Sequence, residues 1–185
     1  VWRSAGIATK FKTSIWEDRT GAHHMLGGRN RLRVNLGHFC SSAFTAPKGD
    51  RYTLEITDLS VNAVQHSKWL ALTVKQVLVH PSRFHRVWGI QTGNSPLFVW
   101  EPIPPSEEFI ALGMVATLTE EPPAVRSVHC VPREWCDQAM DLNKMIWSDA
   151  GASGKPGSLW AVGTLGLLAA SQGTVAPGKF SWQLK

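Results

Sequence analysis

Polar and apolar residues alternate along several stretches of the chain with the period of two that marks a strand buried on one face. Arg29, Arg31 and Arg33 interleave with Leu32, Val34 and Leu36, and Arg51 to Thr57 alternates in the same way. Residues 70–80, rich in Val, Leu and Thr, predict a further strand. Sixteen glycines and eleven prolines at short intervals leave little room for long helices. The one helical signal is a turn from Pro132 to Asp137, with Pro at its first position. About a dozen short strands are expected, of ordinary length.

One pattern recurs three times. Phe84 to Trp88 is a strand-like segment that ends on Trp, a turn of Gly, Ser and Pro follows, and Leu97 to Trp100 brings a second Trp 12 residues after the first. Asn143 to Trp147, the turn around Gly151 to Gly157, and Trp160 repeat it with a spacing of 13. Lys12 to Trp16, the Gly27-Gly28 stretch and Arg31 to Gly37 form a further copy that lacks the second Trp. Each copy runs into an apolar segment (Leu36-Gly37, Leu112-Gly113, Leu168-Ala169) and then a Pro-marked turn (Pro47, Pro122-Pro123, Pro177). The copies span residues 9–80, 81–140 and 141–185, placing Trp16, Trp88 and Trp147 at equivalent positions, with Trp100 and Trp160 as second marks. A unit of about 60 to 70 residues that cannot bury its own apolar face must pack against its copies. The expected fold is therefore all-β: one domain over 1–185 in which three similar strand units form a pseudo-threefold β-prism-like body, with a β-sandwich as second choice.

Composition agrees with a packed core. The chain is 43% hydrophobic and 18% charged, as in folded globular proteins. Nine tryptophans against one tyrosine, spread along the whole length, favour use of Trp in the core over a single aromatic binding surface. No apolar run approaches the roughly 18 residues of a membrane span. The start, Val1-Trp2-Arg3-Ser4, has neither an initiator Met nor a signal-peptide core, so the chain reads as part of a larger protein. Cys40, Cys130 and Cys136 are too few for a disulfide framework and no Asn-x-Ser/Thr acceptor occurs, which points to the cytoplasmic side. A net charge of +5 admits a phosphate-bearing partner without demanding one.

Catalytic motifs mostly fail on spacing. Gly151 to Lys155 resembles a phosphate loop, but Asp149 stands where the first Gly is needed and Pro156 replaces the magnesium-binding hydroxyl. Ser153 lacks the second Gly of a nucleophile elbow. His38, Cys40, His129, Cys130 and Cys136 supply zinc-type donors without the close pairs that zinc sites use. His23-His24 with Asp18 is a candidate acid-base group that reads more simply as a solvated loop. No catalytic residue, metal or cofactor is expected, and no nucleic-acid reading module is visible. The arginine stripe Arg29, Arg31, Arg33 is the candidate binding face, either an ordinary solvated strand surface or a contact for phospholipid headgroups or an acidic partner.

Trp100, Pro102, Pro104-Pro105, Leu112-Gly113, Pro122-Pro123 and Cys130-Val131, continued by Ser158 to Val162 and Ala176 to Gly178, together resemble the vacuolar protein sorting 62-like domain. That domain occurs in plant and fungal proteins and in vacuolar protein sorting 13 proteins, which are bridge-like lipid-transfer proteins. Two positions depart from its pattern: Glu108-Phe109 stands for the usual Gly-Tyr, and Met114 for an Asp. The resemblance implies a non-catalytic, β-rich accessory module of a large membrane-contact protein and supplies no catalytic residues. The expected function is an interaction module, cytoplasmic and peripheral to membranes, that contacts a protein partner or an anionic phospholipid surface. A second class of function is a lectin-like carbohydrate-binding domain using the loops at Gly27-Gly28 and Gly151 to Gly157.

Overall fold

The computed structural model describes residues 2–4, 12–17, 21–23, 31–45, 54–59, 63–91, 96–138, 143–149, 156–177 and 182–185. In chain order the elements are β1 (Trp2–Arg3), β2 (Ser14–Trp16), β3 (Gly21–His23), β4 (Arg31–Val34), β5 (Phe39–Ser41), β6 (Leu54–Thr57), α1 (Ala63–Val77), β7 (Arg83–Ile90), β8 (Leu97–Ile103), β9 (Phe109–Ile110), β10 (Val115–Thr117), β11 (Val131–Pro132), β12 (Cys136–Gln138), β13 (Lys144–Ser148), β14 (Gly157–Val162), β15 (Leu167–Gln172) and β16 (Trp182–Leu184). The fold is all-β in class, built of several small antiparallel sheets with one α-helix among the described residues. A six-stranded sheet runs β1-β2-β5-β15-β14-β13, a three-stranded sheet β10-β8-β7 and a second one β3-β4-β6, beside the pairs β11-β9 and β12-β16.

The register around the tryptophans has one pattern in three places. Trp147 pairs with Leu159, Ser148 with Ser158, and Leu159 in turn with Ala170. Trp88 pairs with Val99, Gly89 with Phe98, and Val99 with Ala116. Trp2 pairs with Ile15, Arg3 with Ser14, and Ile15 with Cys40. In β7 a bulge falls between Arg86 and Trp88, and in β13 one falls between Met145 and Trp147, so the ladder breaks at the same step before each Trp. These registers correct the expected equivalence: Trp2, not Trp16, takes the place of Trp88 and Trp147. Trp16, paired with Phe39, takes that of Trp100 and Trp160. The first hairpin thus has both tryptophans.

Period two then sorts the tryptophans between the two faces of their strands. Trp2, Trp88 and Trp147 are buried in one cluster with Ile15, Val99 and Leu159 and with Cys40, Ala116 and Ala170. Trp147 touches both other rings, with centroids 6.2 Å from Trp2 and 5.7 Å from Trp88. Trp160 faces the opposite way, into a second cluster with Leu36, Val74, Leu78, Ile110 and Leu167. A side chain at Gly157 would collide with Trp88, since a Cβ there would lie 2.1 Å from its indole nitrogen.

Residues 63–77 are a helix where part of the stretch was expected to be a strand. The composition is strand-like, but the burial is not. Leu70, Val74 and Leu78 recur every four residues and pack on the second cluster, while Thr73, Lys75 and Gln76 face solvent. Residues 51–80 contain neither Gly nor Pro, so the sparse helix signal drawn from the whole chain does not hold there. Pro81 closes the segment. The expected turn at 132–137 is a 3-10 turn at Arg133–Trp135, with Pro132 just before it and not at its first position.

Candidate functional site

The three hairpins meet through a closed ring of backbone hydrogen bonds. His38 N–H donates to Met114 C=O at 2.9 Å, Met114 N–H to Leu168 C=O at 2.7 Å, and Leu168 N–H to His38 C=O at 2.7 Å. Gly37, Gly113 and Leu167 precede these residues, so the third segment aligns two residues earlier than Leu168-Ala169 would place it. The chains approach closely here. A Cβ on Gly37, at φ +143°, would lie 2.8 Å from Gly113 Cα, and one on Gly113 would lie 2.8 Å from Leu167 Cβ.

Two ring residues also cap a backbone donor of the next hairpin. Ala116 N–H donates to His38 Nδ1 at 3.1 Å, and Ala170 N–H reaches Met114 Sδ at 3.2 Å. The position two residues beyond Met114 and beyond Leu168 is thus served by the side chain of the preceding ring member. Met114, a departure from the Asp of the related domain, thus has a physical role as a soft acceptor beside Ala170. His38 must be neutral to accept through Nδ1, leaving the proton on Nε2, which lies 3.9 Å from Glu17 Oε1. Burial pushes its pKa down from 6.5 to about 4.

The other zinc-type donors are dispersed. Cys40 Sγ donates to Trp160 C=O at 3.3 Å, Cys136 Sγ to Pro132 C=O at 3.6 Å, and the His129 ring packs on His80 with centroids 4.3 Å apart. Burial pushes the Cys40 and Cys130 thiols up to about 12 and that of Cys136 to about 11, which removes thiolate reactivity. Among the described residues no three His, Cys, Asp or Glu side chains converge on one point. The buried Asp149 accepts from Gly157 N–H at 2.6 Å and so ties the base of the hairpin between β13 and β14.

Arg31 and Arg33 of the stripe are on β4, with Val34 and, just beyond the strand, Leu36 buried. Arg31 Nη1 donates to Glu55 Oε1 at 3.0 Å and Arg33 Nε to Glu55 Oε2 at 2.9 Å, so two arginines clasp one carboxylate of β6. The bond from Arg33, joined by Arg31, holds the Glu55 carboxyl below the usual range. Part of the positive charge of the stripe is therefore matched within the sheet. Arg29, Asp18, His24, Gly27-Gly28 and residues 151–155 lie outside the described residues, and with them most of the candidate sugar loops and the phosphate-loop resemblance. Of His23 only the backbone is described.

Sequence reasoning missed the outer face of α1. Trp69 is 65% exposed and Leu72, one turn on, 54% exposed, with the exposed Lys75 a further turn along. The helix sequence contains Lys68 and Lys75 and no acidic residue. A period of 3.6 read over residues 63–77 would have separated this stripe from the buried one. Among the described residues no helix is long and apolar enough to cross a membrane.

The family described as vacuolar protein sorting-associated protein 62 matches residues 33–181. No curated protein matches the chain. Among solved structures, GNIP1Aa from Chromobacterium piscinae is similar with 20% identity and a TM-score of 0.61, covering 96% of this chain and 32% of the other. That likeness is one of fold alone, and this chain spans about a third of the length of that protein.

Proposed function

The chain belongs to the vacuolar protein sorting-associated protein 62 family, and from that premise we propose that it is a non-catalytic interaction module of a larger, vacuolar protein sorting 13-like lipid-transfer or trafficking protein. The module is a pseudo-threefold β-prism-like body, held at its centre by the backbone ring, that presents added elements to a protein partner or an anionic membrane surface from the cytoplasmic side. One observation carries this reading: two of the groups with shifted protonation, His38 and Cys40, are engaged in holding the frame. His38 accepts from a backbone N–H with its acceptor nitrogen, and Cys40 donates to a backbone carbonyl. In a catalytic site such groups would be turned toward a cleft to meet substrate.

The test is flotation of the purified chain with phosphatidylcholine vesicles and with vesicles that also contain phosphatidylserine, at low and high salt. A preference for the anionic vesicles that salt weakens supports the membrane arm. Binding to neither, together with saturable binding to immobilised glycans, would replace the reading with the lectin-like one. The arginine stripe is tested separately: because Arg31 and Arg33 clasp Glu55, a variant with Glu55→Gln frees them, and binding through the stripe should then strengthen.

A further inference from the structure

We infer that the outward face of α1 is the membrane contact of this module, with Trp69 and Leu72 entering the headgroup region of an anionic bilayer and lysine beside them facing the phosphates. The inference rests on the interaction-module reading and names the surface that serves it. The helix lies outside the three tryptophan hairpins, between β6 and β7. Its inner residues Leu70 and Val74, with Leu78 just beyond, are the ones that pack on the second core cluster, so the core does not account for a Trp and a Leu on the opposite side.

Charge and size choose the occupant. Residues 1–100 carry thirteen Lys and Arg against five Asp and Glu, whereas residues 101–138 carry two against seven. The helix belongs to the basic part and has basic residues only, which fits an anionic surface. Trp favours the depth of lipid headgroups, where its ring is half in hydrocarbon and its N–H in water. Two side chains offer a few hundred Å² at most, short of the roughly 800 Å² per partner of a stable protein interface. That area is enough for an interfacial helix whose binding is completed by charge. At the C-terminal end of α1, Gln76 and Val77 line a groove with Glu108, Arg133 and Glu134. The two glutamates there offset Arg133 and disfavour an anionic surface, so the contact is centred on Trp69, Leu72 and Lys75.

The experiment compares the native chain with Trp69→Ser/Leu72→Ser and with Lys75→Glu, using phosphatidylcholine vesicles with and without phosphatidylserine. Both substituted sites are exposed, so the circular dichroism and melting of the variants should match the native chain. The double variant should bind anionic vesicles at least tenfold more weakly, and the charge reversal more than fivefold more weakly. Tryptophan emission should shift to shorter wavelength on adding anionic vesicles, and Trp69→Phe should abolish most of that shift. Native binding that the double variant leaves unchanged overturns α1 as the contact and leaves the module reading standing. Absence of native binding to anionic vesicles removes the membrane arm altogether. Trp69-dependent dimerisation in sedimentation, without vesicle binding, assigns the face to a second copy of the chain and likewise overturns the inference.

Discussion

His38 links proton binding to stability. Folded, it takes up a proton only near pH 4, whereas in the unfolded chain it does so near 6.5. The unfolded state therefore binds more protons between these values, and stability falls as pH drops through that window. The full effect is on the order of 3 kcal/mol, complete below about pH 4. His129, also shifted down to about 4, first by burial and then by His80, acts in the same direction. His38→Met should keep an acceptor for Ala116, as Met114 does for Ala170, while removing one proton site. Urea titrations from pH 7 to 4 should then give a shallower loss than the native chain. An identical slope would show that His38 does not titrate as its burial requires. Gly157→Ala is a second test at this scale. Its Cβ would meet the Trp88 indole, and overpacking of this kind costs about 1 to 3 kcal/mol in the same titration.

Elements differ in how readily the sequence discloses them. The hairpins β7-β8 and β13-β14 were legible because Trp88 and Trp100, and Trp147 and Trp160, fall at matching offsets around a Gly/Pro turn, and a strand pair needs little more than alternation and a turn. Trp2 was passed over because β1 is two residues long and carries no periodicity of its own; only its pairing with Ile15 gives it a place. The α1 helix was hidden by its composition. Val, Leu and Thr are strand formers on average, but which residues are buried depends on their spacing. Leu78→Ala should therefore cost about 2 to 5 kcal/mol, since that side chain is fully buried, and Leu72→Ala about 0.5 kcal/mol or less. Chemical denaturation of the two variants measures the contrast, and equal losses would mean that the helix is turned about its axis from the arrangement described.

Across the whole molecule, what the sequence could not disclose is closure. Neither the ring through His38, Met114 and Leu168 nor the meeting of Trp2, Trp88 and Trp147 has a local signature, because each joins residues dozens of positions apart and depends on three hairpins folding together. The second tryptophans of the three hairpins each place their indole N–H on a hydroxyl, by different routes. Trp16 Nε1 donates to Ser14 Oγ at 2.7 Å and Trp160 Nε1 to Ser158 Oγ at 2.8 Å. Where Phe98 replaces that serine, Trp100 Nε1 turns to Thr117 Oγ1 on β10 at 2.8 Å. If the three units share one core, the first tryptophans are energetically alike, and this gives the most discriminating expectation. Trp2→Ala, Trp88→Ala and Trp147→Ala should each cost about 3 to 5 kcal/mol. Because Trp147 touches both others, its double variants should fall short of additivity by about 0.5 kcal/mol or more. Guanidinium unfolding of the three single and two double variants decides the matter. A loss below about 1 kcal/mol for Trp2→Ala would show that β1 adds little to the core and would leave the other two hairpins as its source.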